Sequence, residues 1–181
     1  MDQPRGTSVE GSGTTAWREE ATLGPETELT ADVYLRSLSP PAGVHDGQTA
    51  RIERLSELAA AGRLGDVRVS VWGDRVCLCE TCAGTGAGRA ALDRVAEFER
   101  WADDLDAAVS LPFDRHTIRS SYTDSTQEVL VPPVMLLALY DRESVVGVFP
   151  HAAGGREAPV EDAIAAIETT GASDPTPAFR E

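Results

Sequence analysis

The sequence predicts an α+β fold, in which a mainly antiparallel sheet carries helices on one face. Short segments of alternating apolar and polar residues are typical of half-buried strands. Longer segments with apolar residues every three or four positions are typical of amphipathic helices. These segments follow one another in the order β-α-β-β-α-β-(β)-β-α. This order favours helices packed on one face of an antiparallel sheet, with a ferredoxin-like arrangement as the first candidate.

The first half of the chain is predicted to supply a strand, a helix and a hairpin. Residues 31–39 alternate in polarity as a strand does. Residues 47–65 place apolar side chains at helical spacing and end in glycines, which are typical of a helix C-terminus. Residues 66–72 alternate again, with their valines expected to point inward. A two-residue Gly-Asp turn then predicts that residues 75–79 return as the second strand of a hairpin.

The second half is predicted to hold the strongest helix, further strands and a closing helix. The predicted ranges are 91–109 for the helix, 115–122, 128–141 and 144–151 for the strand segments, and 158–168 for the closing helix. Successive apolar residues over Leu136–Tyr140 predict a central strand buried on both faces.

The charge balance indicates the solvent in which the protein works. Thirty acidic residues oppose sixteen basic ones, for a formal net charge of −14, and all sixteen basic residues are arginine. An excess of carboxylates without lysine is typical of proteins that stay soluble in multi-molar salt, although a GC-biased genome also favours arginine. In about 1 M salt the Debye length is about 3 Å, so the net charge says little about a partner's charge. The composition therefore predicts a halophilic cytoplasm.

The chain ends and the cysteine count set further limits. No run approaches the roughly 20 apolar residues of a membrane span, and the first residues lack the apolar segment of a secretory signal, so we expect a cytoplasmic protein without a membrane partner. Three crowded cysteines, an odd number, argue against a disulfide framework. Residues 1–28 and 169–181 are predicted to be disordered tails around one domain over residues 29–168.

The three cysteines lie together in VCLCETC. Residues 79–86, CETCAGTG, resemble one C-x-x-C-x-G-x-G repeat of the DnaJ zinc domain. A tetrahedral zinc takes four ligands, so a site on Cys77, Cys79 and Cys82 needs a further ligand, for example from a second copy in a homodimer. On a continuous strand, Cys77 and Cys79 would point to opposite faces. A C-x-x-C redox pair and small, partly buried side chains are the alternatives.

A second glycine-containing junction suggests an anion site. Gly154, Gly155 and Arg156 stand between a predicted strand and the closing helix, and the N–H groups at a helix N-terminus attract anions. A plain turn into the helix is the alternative. The sequence shows neither a nucleophile motif nor a carboxylate pair typical of acid–base catalysis, so no catalytic residue and no cofactor is predicted.

Several segments together resemble an uncharacterised haloarchaeal family labelled helix-turn-helix domain-containing proteins. They span about residues 30–168 and are VYLRSLSPPAGVHDGQTARIERLSEL, VSVWGDRV, FERWADDL, VPPVMLLALYD and VVGVFPH. The resemblance implies a helix-turn-helix domain and a role in transcription. A wing-like hairpin can be placed at residues 67–78, although no recognition helix precedes it in the sequence.

The arginines that share an element face are the candidates for contacts with DNA. Arg51 and Arg54 lie on one face of the first predicted helix, and Arg115 and Arg119 lie on one face of a predicted strand. The sequence thus predicts a non-enzymatic regulatory or interaction domain, with DNA or a protein as its partner. A small-molecule or anion-sensing module and a thiol or zinc protein remain as alternatives.

Overall fold

A computed structural model describes residues 29–105, 109–119 and 126–170. These residues form four helices and ten strands. The helices are α1 (Ala42–Ala60), α2 (Glu80–Ala83), α3 (Gly86–Asp103) and α4 (Val160–Thr170). The strands are β1 (Leu29–Leu35), β2 (Asp66–Val71), β3 (Val76–Cys77), β4 (Val109–Ser110), β5 (Asp114–Arg119), β6 (Thr126–Val131), β7 (Met135–Asp141), β8 (Ser144–Phe149), β9 (His151–Ala153) and β10 (Arg156–Ala158).

The main sheet has four strands in the order β2-β1-β7-β8. β1 pairs in parallel with β2, to which α1 connects it, and pairs antiparallel with β7 along its whole length. β7 and β8 form a hairpin with an irregularity in its register. Residues Met135 to Tyr140 of β7 are all buried, so the prediction of a central strand covered on both faces is confirmed.

Helices cover both faces of this sheet. α1 and α4 contribute Leu55 and Ile167 to a core on one face, and α3 contributes Phe98 to a core on the other. The α+β class and the mainly antiparallel pairing are confirmed, but the expected placement of the helices on a single face is wrong. The reason lies in β1 and β7, which carry buried apolar side chains on both faces of the sheet, so each face must be shielded from water.

The connection between β1 and β2 also departs from a ferredoxin-like sheet. In that topology another strand separates the two parallel strands of a βαβ unit. Here β1 and β2 are direct neighbours, and β7 pairs with the other edge of β1.

The predicted hairpin over residues 66–79 does not form. β2 joins the main sheet as an edge strand, while β3 pairs with β6 in a separate sheet of order β3-β6-β5. The chain turns away at Trp72, whose ring lies 4.7 Å from the ring of Tyr34 and 6.2 Å from that of Phe98. Aromatic packing therefore overrides the local turn signal. Val69 and Val71 of β2, which were predicted to point inward, are 44% and 48% exposed.

The ends of the described chain differ slightly from the predicted domain. α4 continues to Thr170, so residues 169 and 170 extend the last helix instead of beginning a tail. Residues 1–28 and 171–181, predicted to be disordered, lie outside the described residues.

A third sheet, of order β10-β9-β4, lies beside the main sheet. None of the helices in the described ranges has the length and apolar character needed to cross a membrane.

Candidate nucleic-acid interface

Between β2 and β7 the chain builds a second substructure, which we call the inserted unit (residues 76–103, 114–119 and 126–131). Along the chain it contains β3, α2, α3, β5 and β6. β6 is the middle strand of its sheet and pairs antiparallel with both β3 and β5. The two helices therefore connect the two outer strands of a small antiparallel sheet.

A two-residue turn joins the helices of the inserted unit. Thr85 caps α3 by accepting a hydrogen bond from the Gly88 N–H at 3.0 Å, and its hydroxyl donates to the Cys82 carbonyl at 2.7 Å. A Cβ atom on Gly88 would collide with that same carbonyl oxygen. The end of α2 and the start of α3 therefore meet at a spacing that only glycine permits.

The inserted unit has its own small core. Val76 of β3, Val95 of α3 and Leu130 of β6 are buried together, with Leu92 and Phe113 packed against them. α3 thus faces two cores, because its Phe98 packs against the main sheet. The predicted helix over 91–109 begins five residues earlier, at Gly86, since the Thr85 cap fixes its start.

The outer surface of the inserted unit carries arginines. All six residues of β5 are exposed, and Arg115 and Arg119 lie four residues apart on one face of this strand. Arg115 contacts Glu99 of α3 at 2.7 Å. Arg75, which precedes β3, and Arg89, in the first turns of α3, are exposed, and neither forms an ion pair with any residue that the structure describes.

The other two arginines predicted to contact DNA lie elsewhere. Arg51 and Arg54 belong to α1, on the opposite face of the main sheet from α3. Arg51 pairs with Glu161 of α4, and Arg54 pairs with Glu168 of α4 as well as with Glu57. The hydrogen bonds that Arg54 donates to Glu168 and Glu57 raise its pKa. These two arginines join α1 to α4, so the four predicted arginines do not form one surface.

The glycines predicted to hold an anion form the tip of a hairpin. Gly154 and Gly155 have φ values of 56° and 79° and connect β9 to β10, which is the geometry of a two-residue hairpin turn with both central residues left-handed. Arg156 lies in β10, and α4 begins only at Val160. These residues therefore do not stand directly before the helix, as the sequence had predicted, because a short hairpin intervenes.

The three cysteines converge. Cys77 ends β3, Cys79 precedes α2 and Cys82 lies within α2. Their Sγ atoms all lie within 4.8 Å of one another, and those of Cys77 and Cys79 are 3.1 Å apart. The expectation that Cys77 and Cys79 point to opposite faces is wrong, because β3 ends at Cys77 and the chain turns before Cys79.

Hydrogen bonds within this cluster lower the pKa of one thiol and raise the pKa of another. Bonds from the Cys77 thiol and from the Cys82 backbone N–H lower the pKa of Cys79 to about 7. Bonds with the Cys79 and Cys77 sulfurs raise the pKa of Cys82 to about 11. One thiolate at Cys79 is thus stabilised by its neighbours near neutral pH.

Sequence reasoning missed α2 and the position of Arg89. A four-residue helix is too short to show a hydrophobic period. The available signal was Thr85, since threonine is among the residues favoured as a helix N-cap. With that start recognised, Arg89 would have been placed in the first turns of a helix.

Comparison with known families identifies the family of the chain. A family model described as a helix-turn-helix domain matches residues 24–172. Searches of the curated proteins and of the solved structures returned no match. Because the family model covers well over half of the 181 residues, the chain belongs to this family of helix-turn-helix domains.

Proposed function

We propose that the protein is a non-enzymatic, DNA-binding regulator of a halophilic cytoplasm and that its inserted unit is a reduced winged helix. One observation carries the proposal: α2 and α3 lie between β3 and β5 in a sheet of order β3-β6-β5. A winged helix has the same succession of strand, helix pair and hairpin, with the last strand in the middle of the sheet. Membership of a helix-turn-helix family supports DNA as the partner.

In this interpretation α3 is the recognition helix. The second helix of a helix-turn-helix contacts base edges with its N-terminal residues. The first turns of α3 expose Arg89, whereas its second half is held by Phe98 and Ala102 in the protein core. A guanidinium can bind O6 and N7 of guanine with two parallel hydrogen bonds, so Arg89 is the proposed base-reading residue.

β5 supplies the proposed contacts with the DNA backbone. Arg115 and Arg119 lie on one face of this fully exposed strand. The ion pair of Arg115 with Glu99 is exposed, and such pairs contribute about 0–1 kcal/mol. A phosphate can therefore replace Glu99 as the partner of Arg115 at little cost.

The net charge of −14 is compatible with this proposal only in concentrated salt. Repulsion between the acidic surface and DNA is then confined to about 3 Å. The same salt weakens the counterion release that drives most non-specific binding. Affinity must then come from base contacts and shape, so we propose sequence-selective binding with a shallow salt dependence.

The test is selection of DNA by the full-length protein in molar KCl. Immobilised protein is incubated with a randomised duplex library, and retained sequences are counted over successive rounds. We expect one sequence motif to be enriched, and an inverted repeat would show that a homodimer binds. For a duplex carrying that motif, Arg89→Ala should weaken binding about tenfold or more, and Arg115→Ala and Arg119→Ala by smaller factors.

Arg156→Ala and Arg54→Ala serve as matched controls. Both remove one exposed arginine, the first from β10 and the second from α1, outside the inserted unit. Their affinities should equal that of the wild type. The proposal is wrong if no sequence is enriched, or if the controls weaken binding as much as Arg89→Ala does.

A further inference from the structure

We infer that Cys77, Cys79 and Cys82 form a binding site in which three thiolates hold a thiophilic divalent cation such as Zn²⁺. This site is distinct from the proposed DNA-contacting surface, and its test does not depend on DNA binding. It uses residues that the proposed function leaves without a role.

The first support is the convergence of the three sulfurs. Each cysteine offers one Sγ atom, and all three atoms lie within 4.8 Å of one another. Sulfurs bound to a tetrahedral zinc at about 2.3 Å lie about 3.8 Å apart. The Cys77 and Cys79 Sγ atoms are 3.1 Å apart, and none of the three separations exceeds 4.8 Å. Shifts smaller than the length of a bond would therefore seat the ion.

The second support is that backbone amides already hold two of the sulfurs. The Cys79 N–H donates to the Cys77 Sγ at 3.5 Å, and the Cys82 N–H donates to the Cys79 Sγ at 3.5 Å. Such hydrogen bonds stabilise thiolates, which are the form that binds metals. Metal ions bind cysteine as the thiolate, so binding should release thiol protons and weaken as the pH falls.

The third support is the fixed backbone beneath the cysteines. The Cys82 carbonyl accepts from the Thr85 N–H at 3.0 Å and from the Thr85 hydroxyl at 2.7 Å. Gly88 packs directly against the same carbonyl. The contacts with Thr85 and Gly88 thus fix the backbone at Cys82, which reduces the entropy lost when an ion binds. All three cysteines are half-buried, and water or another small ligand would complete the four ligands of a tetrahedral ion.

The experiment uses reduced, full-length protein without oxygen, with Co²⁺ as the probe. We expect one Co²⁺ per chain, thiolate-to-metal charge-transfer absorption in the near ultraviolet, the strong visible bands of tetrahedral cobalt, and displacement by one equivalent of Zn²⁺. Cys77→Ser, Cys79→Ser and Cys82→Ser should each lower the affinity for Co²⁺ at least tenfold. Thr81→Ala is the matched control within α2, and it should bind as the wild type does.

A second measurement guards against serine variants that lose the local fold. Zn²⁺ should slow the alkylation of all three cysteines in the wild-type protein. The inference is overturned if Zn²⁺ leaves alkylation unchanged, if cobalt binds without thiolate absorption, or if Cys82→Ser keeps the wild-type spectrum. It is also overturned if the cluster only forms a disulfide on exposure to air and the reduced protein takes up no metal.

Discussion

The main sheet and the inserted unit differ in how fully their strands are buried. In the main sheet, β1 and β7 are seven residues long, pair along their whole length and are buried on both faces. In the inserted unit, β3 has two residues, and β5 is exposed at each of its six. The main sheet therefore holds most of the buried apolar surface, while the inserted unit keeps its backbone and polar side chains accessible. Recognition elements are expected where the packing is thin.

The charged side chains follow the same division. On the outer side of the main sheet, Arg51 and Arg54 of α1 are paired with Glu161 and Glu168 of α4. In the inserted unit, Arg94 and Arg115 pair with Glu97 and Glu99 of α3, whereas Arg89 has no carboxylate partner among the residues described. An arginine bound to a neighbouring helix supports the fold, whereas one without a partner is available to a ligand.

The largest expected effect lies in the main sheet. Leu137 of β7 is fully buried in the core that α1 and α4 cover. We expect Leu137→Ala to lower the free energy of unfolding by about 2–5 kcal/mol, because the cavity adds to the lost apolar burial. Urea unfolding in molar KCl measures the change. Val69→Ala, at the exposed edge strand β2, is the control and should cost less than about 1 kcal/mol. Equal losses of unfolding free energy in the two variants would contradict the difference in packing between the central strands and the edge strand β2.

An intermediate effect is expected at the helix-to-helix turn. In Gly88→Ala the new Cβ would meet the Cys82 carbonyl, so α2 and α3 must separate, at a cost of about 1–3 kcal/mol. Hydrogen exchange should then accelerate over α2 and the first turn of α3 and stay slow in β7. Gly86→Ala is the matched control, because no atom lies near its added Cβ. It should be neutral or stabilising by up to about 1 kcal/mol. If Gly88→Ala behaved in the same way, the tight turn would not constrain the unit.

The smallest expected effect appears where the two regions meet. Burial, and then the charge of Asp32, raises the pKa of Tyr34 to about 12. The unfolded chain loses this proton near pH 10, before the folded protein does, so the contribution to stability is complete below about pH 10 and is lost as the pH rises towards 12.

Tyr34→Phe should therefore flatten the alkaline loss of stability. At neutral pH it removes the hydrogen bond that Tyr34 donates to Asp32, which is 3.3 Å long and contributes about 1 kcal/mol or less. Urea midpoints of the two proteins, compared between about pH 9.5 and 12, measure the difference. Parallel pH profiles would show that Tyr34 does not lose its proton on unfolding.

The main sheet could be predicted well because its signals are local and repeated. β1, the core of α3, the buried strand β7 and α4 all show a period of two or 3.6 residues, or an unbroken apolar run. The covering of both faces was missed because a pattern of apolar residues does not say which helix lies on which side. The pairing of β3 with β6 was missed because a two-residue strand has no period, and the Gly-Asp turn favoured a closer partner.

The candidate sites depend on contacts between distant segments. Arg51 and Arg54 share a helix face as predicted, but their partners Glu161 and Glu168 lie more than a hundred residues later in the chain. The convergence of the cysteines depends on where β3 ends, and spacing alone does not fix that point. Cysteine number and position could be read from the sequence, but the direction of each thiol could not.

The central position of β1 has a consequence for synthesis of the protein. β1 precedes every other described element, yet its antiparallel partner is β7, and paired residues such as Val33 and Leu137 are more than a hundred positions apart. On the ribosome, the pairing of β1 with β7 must wait until β7 has emerged, and such non-local pairing is slow. The helices and strands of the inserted unit have all been translated by then. The part proposed to bind DNA can therefore fold before β7 completes the main sheet.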